Sequence, residues 1–241
     1  MNGKSQNNKN PCNSLLGKVP RVIWDGSELT WVGKELIYLR GVGYDYLCND
    51  YFELGFKKII EKYRPRKRYK LGLILPCSYG KPYSQSYIHY FLIKAIKESG
   101  FYNDIHQIIV TNAGVVPREL DEYYPYCAYD WNPKYETKEI KEAYTEVLAY
   151  RLATYIKKFK EYYKKWACYL RWNSDSYRAV QLVEKDLNIE IPNLMVKNVP
   201  QQELYEISLE GIYEDEDLIL ITPTALKNLT QSLIKIIKEI I

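Results

Sequence analysis

A short polar segment carries most of the side chains that could do chemistry. A thiol, an amine, a phenol, a hydroxyl and an imidazole stand together there, in Cys77, Lys81, Tyr83, Ser86 and His89. The apolar run 71–75 before the segment predicts a buried strand, and the apolar spacing that begins at Ile88 predicts a helix. Because α/β proteins place ligands at strand carboxyl ends and beside helix N-termini, the segment predicts a binding or active site.

The residue types in this segment suggest three functions, each with a simpler alternative. A thiol beside Lys81 and a helix N-terminus favours its nucleophilic thiolate form, unless Cys77 is only a small buried residue. Ser86 and His89 share a helix face and could form a proton relay, although a single helical histidine is more often packed or solvated. Lys81 could hold a phosphate or a carboxylate, or simply be solvated.

A second polar loop follows the predicted strand 105–110, and we expect it to face the same crevice. Asn112 offers an amide that could read the edge of a base. Arg118 could bind an anion, and Glu119 could act as a general base. Tyr129 and Asp130 add a phenol and a carboxylate. Turn-forming, helix-first-turn and capping roles are the structural alternatives for these residues. Arg171, Asn173 and Asp175 follow a later strand and could also reach the crevice.

Two basic, aromatic stretches could contact RNA. The first contains Arg64, Arg66, Lys67 and Arg68, and the second spans residues 157–166. The net charge of +4 is too small to indicate nucleic-acid binding alone, so a solvated loop and a solvated helix face remain the alternatives. The 25 tyrosines could stack on bases or, more simply, build the core.

Five cysteines without CxxC spacing argue against a disulfide framework and a zinc site. The sequence contains no secretory signal and no apolar stretch that would cross a membrane. These features predict a cytoplasmic protein with reduced thiols and no membrane partner. A Gly-rich nucleotide loop and a cluster of iron–sulfur cysteines are absent, so we expect no cofactor and no metal.

Predicted strands and helices alternate along the chain. Helices are predicted at 51–63, 84–98, 136–164, 174–187 and 223–241, and strands at 19–24, 35–39, 70–75, 105–110, 167–170, 194–196 and 218–221. This order predicts an α/β three-layer sandwich with a mostly parallel sheet. Residues 1–17 have no periodicity and predict a flexible tail, which leaves 18–241 as a single α/β domain.

The spacing of the first segment resembles the signature of the archaeosine synthase family. All seven positions of the pattern PC-x3-KPY-x2-S-x2-H are matched, by Pro76, Cys77, Lys81, Pro82, Tyr83, Ser86 and His89. The run 114–120, with Tyr124-Pro125 and Tyr129-Asp130, is similar to the next blocks of the family. The resemblance covers about residues 70–194 and implies a core similar to the uracil-DNA glycosylase fold.

The resemblance also implies an activity. The family acts on archaeal tRNA that carries 7-cyano-7-deazaguanine (preQ0) in the D-arm, and adds a nitrogen nucleophile to the nitrile. Free lysine is the expected nucleophile, with glutamine or ammonia as an older alternative, and a radical SAM enzyme completes the conversion. Reaching the base requires extrusion and stacking, for which Tyr79, Tyr83 and Tyr87 are suitable.

Nitrile addition needs a general acid and a general base. On this resemblance, His89 or Tyr83 is the acid and Glu119 or Asp130 is the base. Cys77 either forms a covalent thioimidate or only shapes the pocket. The remaining members of the predicted catalytic and substrate-binding sets are Lys81, Ser86, Ser78, Asn112, Arg118 and Tyr129.

Family members are usually longer, with a transglycosylase-like half and an RNA-binding PUA domain. We therefore expect a short or split form, the catalytic core of a synthase whose RNA-binding subunit is separate. The alternative is a non-catalytic subunit that binds tRNA or the modified base. A third hypothesis is an unrelated Cys/His hydrolase.

Overall fold

The computed structural model describes residues 10–12, 21–22, 29–31, 37–211 and 213–240. The predicted tail, residues 1–17, lies outside the described residues apart from 10–12. The tail boundary and the single domain over 18–241 therefore stay predictions.

A four-stranded sheet forms the centre of the fold. Its strands are β5 (Tyr69–Pro76), β6 (Ile105–Thr111), β7 (Gly114–Pro117) and β9 (Tyr163–Cys168), in the order β7-β6-β5-β9. Strand β5 pairs in parallel with β6 and β9, and β7 runs antiparallel to β6. The buried apolar runs of β5 and β6 suit strands that are covered on both faces. The predicted α/β class with a mostly parallel sheet is confirmed.

Two small sheets lie beside the central one. β1 (Arg21–Val22) pairs antiparallel with β4 (Val42–Gly43). β3 (Ile37–Arg40) pairs antiparallel with β2 (Leu29–Trp31) and in parallel with β8 (Tyr129–Asp130). Pairing with β3 fixes the position of Tyr129 and Asp130, which the sequence singled out.

Helices cover both faces of the central sheet. They are α1 (Tyr44–Leu47), α2 (Asp50–Lys62), α3 (Tyr87–Glu98), α4 (Lys138–Phe159), α5 (Asp175–Leu187), α6 (Gln201–Ile207) and α7 (Pro223–Lys238). Leu71, Leu73 and Leu75 pack in one core with α3 and α7, whereas Ile74 packs in a second core with α2, α4 and α5. Successive strand residues point to opposite faces, so one strand supplies both cores.

Four sequence predictions of local structure are wrong. The helix predicted over 136–164 ends at Phe159, and β9 begins at Tyr163 instead of Ala167. Residues 216–221 form a 3-10 helix, where a strand was predicted, and 194–196 form no strand, although Asn193 makes a single bridge to Cys168. Short apolar runs fit a buried strand and a buried helical turn equally well, and packing decides between them.

Cys12 and Cys48 form a disulfide across a sequence separation of 36 residues. The expectation that all thiols are reduced is therefore wrong for this pair, because two distant cysteines meet in the fold without any local spacing signal. Cys77, Cys127 and Cys168 are free. Within the described ranges, no helix is long and apolar enough to cross a membrane.

Candidate functional site

The carboxyl ends of β5, β6 and β9 lie at one edge of the central sheet, which we call the carboxyl edge. Cys77 follows β5 there, and Asn112 follows β6. The strand β8 brings Tyr129 to the same place, where its hydroxyl shares a 2.6 Å hydrogen bond with the hydroxyl of Tyr83. The side chain of Thr111, at the end of β6, also bonds to both phenols. The first segment and part of the second loop therefore form one site.

The loop 77–86 folds back onto the N-terminus of α3. The peptide bond between Lys81 and Pro82 is cis, and a 3-10 helix, Tyr83–Gln85, follows it. Ser86 caps α3, because its hydroxyl oxygen accepts a 3.3 Å hydrogen bond from the backbone N–H of His89. The Ser78 hydroxyl donates to the carbonyl of Gly80 at 3.1 Å. Ser86 thus shapes the loop rather than contacting the imidazole ring.

Lys81 lies over the aromatic pair at the centre of the site. Its Nζ is 4.2 Å from the centre of the Tyr129 ring, and 3.2 Å from the Tyr79 carbonyl oxygen to which it donates. Burial lowers the pKa of Lys81, and nearby Cys77 and Asp130 oppose that change. Burial also raises the pKa of Tyr83 and Tyr129, so both phenols are neutral. The site therefore presents an ammonium above two neutral hydroxyls.

The thiol of Cys77 is not activated. Burial raises its pKa to about 12, with Asp217 acting in the same direction and Lys81 against it. The expectation of a favoured thiolate is wrong, because the loss of water and the carboxylates outweigh one ammonium.

His89 is fully buried, and both of its ring nitrogens are engaged. Arg118 Nη2 donates to Nδ1 at 2.6 Å, so Nε2 carries the proton and donates to the carbonyl oxygen of Pro76 at 2.9 Å. Burial and the Arg118 charge hold the pKa of His89 well below its ordinary value. The ring is neutral and fixes the end of β5, which favours a positioning role.

Arg118 uses its guanidinium within the protein. Nε and Nη2 donate to Gln107 Oε1 at 3.0 and 2.9 Å, and Nη1 lies 3.2 Å from Asp121 Oδ2. Asp121 also accepts a 2.7 Å bond from the backbone N–H of Ser84. Arg118 therefore joins β6 to the loop 77–86 and to α3, and its donors are engaged by Gln107, Asp121 and His89.

Glu119 lies at the opposite edge of the sheet. Strand β7 runs antiparallel, so the residues after it return to the amino ends of β5 and β6. Glu119 accepts a 2.6 Å bond from the Tyr63 hydroxyl, and its second oxygen lies 2.9 Å from His106 Nε2. His106 pairs with Gly72, about five residues or ~16 Å along β5 from Cys77. Glu119 is thus distant from the predicted site.

The residues around Glu119 are connected by hydrogen bonds and by stacking of their rings. We call them the amino-edge cluster, and they are Tyr63, Tyr69, His106, Glu119, Tyr155 and Tyr163. His106 Nδ1 bonds to the Tyr163 hydroxyl at 2.6 Å, and the Tyr69 ring stacks on His106 at 4.5 Å. Burial alone would raise the pKa of Glu119, but bonds from His106 and Tyr63 lower it to about 2. The predicted RNA-binding residues, Arg64, Arg66, Lys67 and Arg68, precede β5 and lie at this amino edge as well.

Asp130 and Asn112 remain near the carboxyl edge. Asp130 Oδ2 is 3.3 Å from Arg40 Nε, and its carboxylate also bonds to the Tyr38 hydroxyl. The carbonyl oxygen of Asn112 accepts from the buried Arg151 at 3.4 Å. Arg151 in turn lies 2.7 Å from Glu53, which fixes the turn after β6.

Residues that the sequence did not indicate complete the site. Glu136 Oε1 accepts a 2.6 Å bond from Trp131 Nε1, and the Tyr144 hydroxyl bonds to Ser176 at 2.7 Å. Arg171, for which only a weak pattern existed, pairs with Asp217 and Glu216 at 2.5 Å each. Glu136, Asp217 and Tyr144 all interact electrostatically with Cys77. They come from separate parts of the chain, so no local spacing could have grouped them.

Comparisons with known proteins find one family model and several relatives that match parts of the chain. A family model described as a domain of unknown function (DUF5591) matches residues 54–210. Three archaeosine synthase alpha subunits are similar to parts of the chain. That of Thermoplasma acidophilum is 48% identical over 61 residues, 25% of this chain and 12% of the relative. That of Thermococcus kodakarensis is 34% identical over 110 residues, 41% of this chain and 18% of the relative.

The third relative, from Methanosarcina acetivorans, is 40% identical over 75 residues, 31% of this chain and 12% of its own length. The matches thus span less than a fifth of each curated relative. The crystal structure of AF0587, a protein of unknown function, is 19% identical with a TM-score of 0.47, over 73% of this chain and 48% of that chain.

Proposed function

The chain belongs to the DUF5591 family, and from that premise we propose that it acts in archaeosine formation on tRNA. The reaction proposed is the addition of an amine, with lysine as the first choice, to the nitrile of preQ0 in the D-arm. The partial similarity to archaeosine synthase alpha subunits supports this proposal. Because the matches span less than a fifth of those relatives, the activity and the partners of this chain are proposals.

The observation that carries the proposal is the position of Lys81. Its Nζ lies over Tyr129 and beside the buried Tyr83–Tyr129 hydroxyl pair. A nitrile becomes a good electrophile only when its nitrogen is protonated, and an ammonium with a lowered pKa is a good proton donor. We assign Lys81 as the acid, in place of His89, whose ring nitrogens are engaged.

The other predicted residues receive supporting roles. Tyr83 and Tyr129 orient the nitrile, and the amide of Asn112, at the end of β6, reads the edge of the base. His89, Arg118, Ser86 and Ser78 hold the loop in position. Since burial raises the pKa of Cys77 to about 12, we propose direct attack by the amine, with the thiol shaping the pocket.

The tRNA is proposed to contact two regions. Tyr79 and Tyr87 are 72% and 57% exposed beside the site and are available to stack on an extruded base. Arg64, Arg66, Lys67 and Arg68 lie at the amino edge and would contact the tRNA backbone. On the family resemblance, we also propose two partners, which are a separate PUA or transglycosylase-like subunit and a radical SAM enzyme. A cytoplasmic location and a fold like that of uracil-DNA glycosylase are proposed on the same basis.

One observation favours a second candidate, a subunit that binds preQ0-tRNA without modifying it. The site has a neutral thiol and a neutral, fully engaged imidazole, and therefore no activated nucleophile of its own among the described residues. An enzyme that adds an external amine does not need such a nucleophile, so the two candidates are separated by assay.

The test is adduct formation on preQ0-tRNA. Purified protein is incubated with the tRNA and lysine, with and without cell extract, and the nucleosides are analysed by mass spectrometry. We expect a lysine adduct, and a loss of about 10²-fold or more in Lys81→Met. Lys94→Met is the matched control, because Lys94 lies on α3 with an exposed side chain. No adduct in either condition refutes the enzyme, and tRNA retention without adduct then supports the binding subunit.

A further inference from the structure

The second basic stretch of the sequence, residues 157–166, has no role in the proposed function. The fold brings it against the first stretch, residues 62–70, at the amino edge of the central sheet. Tyr69 pairs with Tyr163 where β5 and β9 begin, and the centres of their stacked rings are 6.2 Å apart. Two stretches that are distant in the sequence therefore lie side by side.

The ends of α2 and α4 meet at the same place. Tyr63, at the C-cap of α2, contacts the ring of Phe159, the last residue of α4, with 5.7 Å between the ring centres. Tyr63 and Tyr163 also belong to the amino-edge cluster, where they bond to Glu119 and His106. The hydrogen-bonded cluster thus supports both stretches and fixes their relative position.

Positive charge is concentrated in these two stretches. They contain eleven Lys or Arg residues and one Glu, whereas the net charge of the whole chain is +4, so the remainder of the chain is net acidic. Ion pairs with carboxylates engage Lys70, Lys157 and Lys165. Seven further cations are exposed and form no ion pair with the residues that the structure describes. We call them the basic face, and they are Lys62, Arg64, Arg66, Lys67, Arg68, Lys158 and Lys164.

The basic face is suited to the phosphate backbone of RNA rather than to unpaired bases. The tyrosines beside it are buried or half-buried and are not available for stacking on bases: Tyr63, Tyr69, Tyr162 and Tyr163. Proteins recognise duplex RNA mainly by its shape and by contacts to its backbone. Tyr69 lies eight residues before Cys77, or ~26 Å along β5, so this face would contact a part of the RNA distant from the base in the site.

We propose that the basic face binds a double-stranded arm of the tRNA through its phosphates, with both stretches on the same duplex. This inference rests on the proposed function for the identity of the RNA, and extends it by adding the second stretch and by naming a duplex as the bound element. Phosphate contacts depend neither on preQ0 nor on an amine, so the binding can be tested apart from the chemistry.

The test measures the binding of a plain RNA duplex of about 16 base pairs, a length that other duplex-binding domains cover. Fluorescence anisotropy gives the affinity of the full chain at increasing salt concentrations. Lys158→Gln/Lys164→Gln alters the second stretch, and Arg66→Gln/Arg68→Gln alters the first. Each variant should reduce the slope of log affinity against log salt by about 2, and weaken binding at 0.1 M salt by about 30-fold.

Two controls separate local contacts from net charge. Lys138→Gln/Lys141→Gln removes the same charge from exposed lysines at the other end of α4, ~30 Å away. At 0.1 M salt that distance exceeds the screening length of about 10 Å, so this variant should bind within about threefold of wild type. Lys158→Arg/Lys164→Arg keeps the charge and should keep the wild-type slope. A single strand of the same sequence should bind more weakly than the duplex.

Three results would overturn the proposal. Unchanged duplex affinity and slope in Lys158→Gln/Lys164→Gln would show that these lysines only complement the C-terminus of α4 and the start of β9. Tighter binding of the single strand than of the duplex would exclude a duplex as the bound element. A loss of binding to phosphatidylserine vesicles, with RNA binding unchanged, would assign the basic face to a membrane surface.

Adduct formation at saturating preQ0-tRNA separates this inference from the proposed function. Duplex binding that responds to the variants as expected, without any adduct in the wild type, refutes the amine addition and leaves the basic face in place. Adduct formation by the wild type, together with an unchanged salt dependence of RNA binding in both Gln variants, refutes only the basic face.

Discussion

Replacing Glu119 with glutamine should destabilise the fold without affecting the chemistry at the carboxyl edge. Glu119 accepts hydrogen bonds from Tyr63 and His106, and its side chain is 16% exposed. The amide side chain of the variant would keep the shape but could accept only on one side, so one of these donors would face an NH₂ group. The change therefore tests whether the amino-edge cluster is structural.

The expected magnitude follows from the pKa of Glu119. The bonds from His106 and Tyr63 lower it from 4.5 to about 2 against the effect of burial. That difference corresponds to about 3 kcal/mol of unfolding free energy at neutral pH, since one pKa unit equals about 1.4 kcal/mol. Because the folded pKa is the lower one, this stability is complete above pH 4.5 and is lost as the pH falls towards 2.

Urea unfolding at two pH values measures this effect. At pH 7, Glu119→Gln should lose about 3 kcal/mol relative to wild type, and at pH 3 about 2 kcal/mol of that difference should have disappeared. Glu122→Gln, which changes an exposed carboxylate three residues away, should differ from wild type by less than ~0.5 kcal/mol. Adduct formation by folded Glu119→Gln should stay within about threefold of wild type.

Two results would refute this reasoning. A difference that is the same at pH 7 and pH 3 would show that the charge of Glu119 does not stabilise the fold. Normal stability with a large loss of adduct formation would restore Glu119 as the base of the reaction, and the distance along β5 would then have to close in the complex with tRNA.

Two further predictions concern buried groups near the carboxyl edge. Arg151→Met should lower the free energy of unfolding, measured with urea, by roughly 3 kcal/mol. The reason is that Glu53 loses its 2.7 Å partner and the carbonyls of Asn112 and Leu47 lose a hydrogen-bond donor. A decrease under ~1 kcal/mol would contradict this prediction. Since the pKa of Cys77 is raised to about 12, iodoacetamide should label it about 10³-fold more slowly at pH 7 in the native chain than in urea, as measured by mass spectrometry. Rapid native labelling would show an activated thiol and would favour the thioimidate.

The sequence predicted the central part of the fold because the signals there are local. The apolar run 71–75 is long enough for a buried strand, and the apolar spacing from Ile88 matches α3. The helix begins at Tyr87, after its N-cap Ser86, rather than at the predicted residue 84. The helix predicted over 174–187 is α5, which begins one residue later, after its N-cap Ser174. Strand length, caps and helix periodicity are properties of a few neighbouring residues, so they can be identified before the structure is known.

The position of Glu119 could not be predicted while β7 was overlooked. The sequence predicts 111–119 as one loop, whereas residues 114–117 turn back and pair with β6. The signal was present in the turn Asn112-Ala113-Gly114 between two apolar runs, since Gly114 adopts a φ of 139° that other residues rarely take. A hairpin at that point reverses the chain and carries everything after it to the other edge of the sheet.

The seven-residue motif predicts the shape of a loop better than it predicts a mechanism. Ser86 caps a helix, His89 holds the carbonyl of Pro76, and the cis bond after Lys81 lies in the loop that places the amine over Tyr129. Tyr129, whose ring lies under this amine, comes from a distant part of the chain and reaches it through the pairing of β8 with β3. A match to the motif therefore indicates where a lysine is placed, while the groups around that lysine determine which reaction it can perform.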